Sequence, residues 1–388
     1  MTFNETPPTA RALLPLLGRA GEPAAEAGVD FPGELAPTAD PALIERAAAA
    51  KAALGDRVFV LGHHYQRDEV IALTDVTGDS FKLAQQAAAR PEAEHIVFCG
   101  VHFMAEAADL LTAPNQHVVL PDPTAGCAMA DMADAGQARA AWDTLVGAGV
   151  AAATVPVTYI NSSAAIKGFT GEHGGTVCTS SNAERALSWA LAKGEKVLFL
   201  PDQHLGRNTA LRQLGMSPDD CVVYDPNQPG GGLSARQLRA ATIILWRGHC
   251  AVHARFTAGA VAEARALIPG VRVLVHPECG YDVVSAADDV GSTEFIVKTL
   301  ADAPAGSAWA VGTELSLVRR LARQHPDKRI VFLGGTIAYC ATMSQIDMPA
   351  LTRALEQLAA GRAIDPVTVD PAVVPHARAA LDQMLALP

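Results

Sequence analysis

Short apolar runs rich in Val, Ile and Leu recur along the chain, each closing on a polar or glycine-containing stretch, with segments of helical spacing between them. Runs of this kind bounded by Gly, Pro or Asp read as buried strands. One group comprises residues 57–61, 95–98 and 117–121. A second comprises 153–158, 196–200 and 241–246, and a third 271–275, 308–311 and 329–333. Helices are predicted over 42–54, where Asp40 precedes a proline at the first helical position, and over 82–89, 104–111 and 315–324. Two more close the chain, over 347–361 and 372–387, with 365–371 as their linker. Residues 1–39, rich in Ala, Pro, Gly and Glu, are expected to be a loosely attached extension.

Strands alternating with helices predict an α/β protein of three similar three-layer αβα domains with parallel sheets. The three groups also share a landmark. A cysteine follows the opening strand by 70 residues in the first (Arg57 to Cys127), by 97 in the second (Ala153 to Cys250) and by 69 in the third (Val271 to Cys340). The longer middle passage contains Asp225-Pro-Asn-Gln-Pro-Gly-Gly-Gly232, expected to be an inserted surface loop. Around a pseudo-threefold axis, three such units would bring Cys127, Cys250 and Cys340 to a common centre. In open α/β sheets ligands gather at the carboxyl ends of strands, where each of these polar clusters falls. The expected division is an extension over 1–39, α/β domains over 40–140, 141–258 and 259–345, and C-terminal helices over 346–388.

Composition narrows the partners. Of 388 residues 49% are hydrophobic and 18% charged, which describes a well-packed chain and not a disordered one. A formal net charge of −11 without Lys/Arg clusters argues against nucleic acid and anionic membrane surfaces as general partners. No apolar stretch reaches the roughly 18 to 20 residues needed to span a bilayer. The N-terminus carries an acid and prolines where a signal peptide would carry Lys or Arg, so a cytoplasmic location is expected. Seven cysteines, an odd number, point to thiols in a reducing compartment and not to a disulfide framework.

No local CxxC joins Cys127, Cys250 and Cys340. Spacing alone leaves two chemistries open. Zinc would draw a fourth ligand from His249 or His253. An iron–sulfur cluster held by three cysteines would leave one iron open as a Lewis acid. Cys99 and Cys221 read as small buried residues, whereas Cys178 and Cys279 adjoin polar candidates.

A set of motifs in order over residues 57–345 adds a resemblance: Gly62-His63-His64-Tyr65-Gln66, Gly78-Asp79-Ser80, Phe98-Cys-Gly-Val-His-Phe-Met-Ala-Glu106, Gly126-Cys127-Ala-Met129-Ala-Asp131, Tyr159-Ile-Asn161-Ser-Ser-Ala-Ala-Ile-Lys167, Cys178-Thr-Ser-Ser-Asn182, Pro201-Asp-Gln-His-Leu-Gly206, Cys250-Ala-Val-His253, His276-Pro-Glu-Cys279, Gly291-Ser-Thr293 and Cys340-Ala-Thr-Met343. In these the chain resembles the quinolinate synthase family, in its longer branch. The resemblance implies a [4Fe-4S] cluster at the centre of the pseudo-threefold fold, held by Cys127, Cys250 and Cys340. It also implies condensation of iminoaspartate with dihydroxyacetone phosphate to quinolinate, phosphate and water, in NAD biosynthesis, with a functional link to an L-aspartate-oxidising enzyme. Some members carry a CxxCxxC run ending at the third ligand. Here those positions are Gly334 and Ile337, so a disulfide switch there is not expected.

The resemblance carries roles onto matching residues. Tyr65 becomes a catalytic phenol, and Glu278 with His276 the general-base pair. His63 and Ser80 become carboxylate anchors. Tyr159, Asn161, Ser180, Ser292 and Thr293 become hydrogen-bond donors to carboxylate or phosphate, with Ser292 and Thr293 opening a helix near Glu294. Considered without the family, Tyr65 is a half-buried strand-end tyrosine, Ser80 a cap for the helix near Phe81, Glu278 a solvated acid and Lys167 a solvated lysine. His253 is a weaker candidate as a residue supporting the pocket. Two rival functions are a reductive dehydroxylase of isoprenoid diphosphates built on the same three-cysteine cluster and a non-enzymatic metal sensor. A dinucleotide-binding oxidoreductase is dropped for want of GxGxxG after a strand.

Overall fold

The computed structural model describes residues 40–335 and 338–387; the expected extension over 1–39 and Ile337 lie outside them. The described residues divide into two compact units, one of residues 252–340 and one of the remainder.

The larger unit contains two sheets. The first is built from β1 (Val58–His63), β2 (Val76–Gly78), β3 (His95–Cys99) and β4 (His117–Val119), in the order β2-β1-β3-β4. The second is built from β5 (Thr154–Tyr159), β6 (Thr176–Cys178), β7 (Lys196–Leu200), β8 (Cys221–Tyr224) and β9 (Ile243–Trp246), in the order β6-β5-β7-β9-β8. The smaller unit has one sheet of β10 (Arg272–Val275), β11 (Asp289–Val290), β12 (Ala308–Gly312) and β13 (Arg329–Phe332), in the order β11-β10-β12-β13. All pairings are parallel. Each sheet thus has its second strand at one edge, its first beside it and then its third. The fourth strand follows in the four-stranded sheets, whereas in the five-stranded sheet the fifth, β9, comes next and the fourth, β8, forms the far edge. The protein is α/β, with helices flanking several parallel sheets.

Residue type explains why the strands hold. In β1 and β5 every residue is buried, and β7 and β9 are equally enclosed, as parallel strands covered by helices on both faces require. The nine expected strands are all present. The unexpected ones, β2, β6, β8 and β11, have two to four residues each, too few for apolar periodicity to mark. The loop expected over 225–232 follows β8, which extends the sheet at its edge, and contains a short helical turn at Pro229–Gly232.

Helix ends follow cap chemistry. The Asp40 carboxylate accepts the Ala42 N–H at 3.0 Å and starts Pro41–Leu54. Asp134 and Gln137 form a capping box on Ala135–Gly147. The helix Ser80–Ala88 is capped by Asp79, so Ser80 is its first residue and not its cap.

Both C-terminal helices pack on the larger unit. Met348–Ala359 lies on Pro41–Leu54, where Arg46 pairs twice with Glu356 at 2.8 Å and Thr352 donates to the Leu43 carbonyl. Val374–Leu385 lies on Ala164–Glu172, and contact there is made through glycine. A Cβ on Gly171 would stand 1.9 Å from the His376 carbonyl oxygen.

Candidate active site

The predicted site residues fall at the carboxyl ends of equivalent strands. First strands end in His63 and Tyr65, in Tyr159 and Asn161, and in His276 and Glu278. Edge strands lead into Ser80, Ser180, and Ser292 with Thr293; the last strand of each sheet in chain order, β4, β9 and β13, leads toward Cys127, Cys250 and Cys340. Within each sheet, the structure brings the first two sets together. His63 pairs in register with Gly78, and the His64 N–H donates to the Gly78 carbonyl at 3.2 Å. Tyr159 pairs with Cys178, and the Ile160 N–H donates to the Cys178 carbonyl at 2.8 Å. Val275 pairs with Val290, and the Gly291 N–H donates to the Val275 carbonyl at 3.1 Å.

One device appears at two strand ends. The Tyr65 N–H donates to His63 Nδ1 at 3.1 Å, and the Glu278 N–H to His276 Nδ1 at 3.4 Å. An imidazole whose Nδ1 accepts carries its proton on Nε2, so both histidines are Nε2–H donors when neutral. Burial, opposed by Glu278 and assisted by His253, pushes the His276 pKa down to about 3, so this ring is neutral at physiological pH. The half-buried Tyr65 ring stands edge-on to His63, with centroids 4.7 Å apart.

The smaller unit contains a buried polar chain. Glu278 is 3% exposed, contrary to the solvated reading, and its Oε2 accepts from His253 Nδ1 at 2.7 Å. His253 Nε2 then accepts from the Thr313 hydroxyl at 3.2 Å. His253 is 1% exposed and stacks on His276 with ring centroids 4.5 Å apart. An acid that orients an imidazole, which in turn polarises a hydroxyl, is the arrangement of general-base catalysis. Thr313, at the end of β12, is a residue that sequence reasoning missed; its only signal is a Thr-Glu pair between an apolar strand and a helix start. The next residue, Glu314, caps Leu315–Gln324 and accepts the Cys340 N–H at 3.4 Å. Ser292 caps Thr293–Asp302 as expected, accepting the Phe295 N–H.

In the larger unit the loop after Cys127 docks on the end of β9. The Met132 carbonyl accepts the Trp246 indole N–H at 2.6 Å, and its sulfur accepts the His249 N–H at 3.4 Å. Gly248 lies beside this contact, and a Cβ there would stand 2.3 Å from the Pro201 carbonyl oxygen. Tight packing therefore ties the Cys127 loop to the segment leading into Cys250. The remaining cysteines differ in environment. Cys99, Cys178 and Cys279 are buried, and Cys221 begins β8 beside Ile243, at the end of the sheet remote from Cys250. Burial pushes the Cys99 thiol up to about 12 and that of Cys178 higher still, with Asp202 adding to the latter. Cys127, Cys250 and Cys340 are only partly buried.

Lys167 is wholly buried, which corrects the solvated reading; burial lowers its pKa to about 8 against the opposing charges of Glu106 and Cys127. Arg247 pairs with Asp225.

The family model described as "Quinolinate synthetase A protein" matches residues 45–386. The chain belongs to the quinolinate synthetase A family. Relatives named quinolinate synthase include one from Streptomyces coelicolor, 64% identical over 98% of this chain and 97% of its own. Another, from a Nocardioides species, is 63% identical over 100% and 98%. A third, from Geobacillus kaustophilus, is 50% identical over 88% and 92%. Membership in the quinolinate synthetase A family sets aside the reductive dehydroxylase and the metal sensor. Among the described residues no helix is long and apolar enough to cross a membrane.

Proposed function

We propose that this chain is a quinolinate synthase, condensing iminoaspartate with dihydroxyacetone phosphate to quinolinate with release of phosphate and water. The observation that carries the reading is the buried Glu278–His253–Thr313 chain beside His276. Condensation and ring closure require protons to leave carbon next to a carbonyl or imine and to reach departing hydroxyls. The His253 imidazole takes a proton at Nε2 through the Thr313 hydroxyl, and Glu278 holds the resulting imidazolium at 2.7 Å. His276, kept neutral, turns its Nε2–H to a substrate oxygen, and Tyr65 supplies a phenolic proton at the opposite step. His63 and Ser80 bind carboxylate. Tyr159, Asn161, Ser180, Ser292 and Thr293 bind the remaining carboxylate and phosphate oxygens, the last two at the N-terminus of Thr293–Asp302.

Three partly buried thiols, each beyond the last strand of its sheet, fit a soft-metal donor set, unlike the buried Cys99 and Cys178, which stay protonated. Cys127, Cys250 and Cys340 would hold a [4Fe-4S] cluster at the centre of a pseudo-threefold arrangement of the α/β domains. When bound, its open iron supplies Lewis-acid chemistry to a substrate oxygen. The substrate imine implies a partner reaction that oxidises L-aspartate, and a cytoplasmic location accords with a labile cluster and seven cysteines.

The test is iron, sulfide and zinc content of protein purified without oxygen, with Cys127→Ala, Cys250→Ala and Cys340→Ala alongside, followed by assay of quinolinate formation. About four iron and four sulfide per chain, lost in each variant together with turnover, are expected. Zinc without sulfide, or iron retained in any variant, would overturn the ligand set; a loaded cluster without quinolinate formation would overturn the activity.

A further inference from the structure

Lys167 has no part in the chemistry above, yet its charge is fully enclosed. Its Nζ donates to the Ile160 carbonyl at 2.9 Å and to the Ser162 carbonyl. Those carbonyls bracket Asn161, and Ile160 follows Tyr159 directly. The rest of the turn is bonded inward as well. The Ser162 hydroxyl donates to the Tyr159 carbonyl at 2.8 Å, and the Thr158 hydroxyl to Ser162 Oγ at 3.0 Å.

The counter-charge comes from the first sheet's layer. Glu106, on the helix His102–Leu111, accepts the Ala164 N–H at 2.9 Å and so anchors the first turn of the helix that carries Lys167. From the same helix Phe103 lays its ring 5.6 Å from Lys167 Nζ. The His102 N–H at its start donates to the Ala125 carbonyl at 2.8 Å, two residues before Cys127. One helix therefore touches both the Cys127 loop and the turn that bears Tyr159 and Asn161.

We propose that Lys167 is a positioning residue. Its ammonium, balanced by Glu106, clamps the two carbonyls around Asn161 and fixes Tyr159 and Asn161 against the Cys127 loop for a polycarboxylate ligand. The clamp sets ligand affinity, because a turn released from it must be reordered on binding. The inference rests on the reading that Tyr159 and Asn161 touch the ligand.

The experiment compares the cluster-loaded native protein with Lys167→Met, Lys167→Arg, Glu106→Gln and Asn161→Ala. Iron content, KM and kcat for dihydroxyacetone phosphate, quinolinate affinity by titration, and amide exchange over 158–164 are read for each. Lys167→Met is expected to keep its iron, raise KM and weaken quinolinate binding by about tenfold, and lower kcat by less than about threefold. Glu106→Gln follows in the same direction with a smaller shift, and Lys167→Arg recovers part of the affinity. Lys167→Met with full iron and unchanged KM and affinity, or with only kcat reduced, overturns the proposal. Should Lys167→Met not fold, Glu106→Gln decides, and native KM there overturns it. If Asn161→Ala leaves affinity unchanged, the ligand-contact reading has failed by itself. The clamp is then judged by exchange: faster amide exchange over 158–164 in Lys167→Met or Glu106→Gln supports it, and native exchange overturns it.

Discussion

Glu278→Gln removes a charge while keeping the size of a side chain that is 3% exposed. The carboxylate sits 2.7 Å from His253 Nδ1, so its value lies in holding the imidazolium that forms when His253 takes a proton. At an effective dielectric near 20, unit charges about 4 Å apart attract by about 4 kcal/mol. Losing that attraction only in the charged state raises the barrier by a similar amount, or roughly a thousandfold in rate. Because the charge on His253 is invoked only in the transition state, quinolinate affinity should stay within about threefold of native. Single-turnover quinolinate formation without oxygen, at matched iron content, measures the step directly. Adding His253→Ala to Glu278→Gln should cost little more than either change alone, since the two act as one unit. A Glu278→Gln rate within tenfold of native at full iron would refute the relay.

Thr313→Val keeps the shape but removes the hydroxyl that meets His253 Nε2, and should lower kcat about a hundredfold with little change in quinolinate affinity, read in the same assay. Acid should destabilise the smaller unit through His276. Its folded pKa of about 3 lies below the usual 6.5, so the unfolded chain binds more protons between those values and stability falls as pH drops through that window. The loss is at most about 5 kcal/mol, and His276→Gln should flatten thermal midpoints measured from pH 7 to pH 4. Gly171→Ala should destabilise the larger unit. Its Cβ would meet the His376 carbonyl oxygen at 1.9 Å, and overpacking of about 3 kcal/mol outweighs about 1 kcal/mol of helix propensity. A Tm within 1 °C of native would contradict that packing.

Parallel sheets were legible because their signals are local. A run such as Val58-Phe-Val-Leu61 must be buried wherever it goes, and Asp40 before Pro41 starts a helix in any fold. The strand-end histidines, Glu278 and the three cysteines were legible in the same way, as polar groups stranded at the ends of apolar runs. Short strands were not, since β2 and β11 persist only through the ladders that β1 and β10 offer them.

The sequence by itself determined the α/β class, the recurrence of polar groups at the ends of apolar strands and the family to which the motifs point. Tertiary structure alone decided which polar groups are enclosed and what each one meets. Glu278 and Lys167 look alike on paper, as charged residues beside small or apolar ones. Only the folded chain shows that His253 and Thr313 complete one of them, and that two backbone carbonyls complete the other. The reason is physical: burial of a charge is tolerated only where partners distant in the chain converge on it, and such convergence is a property of packing and not of neighbouring residues.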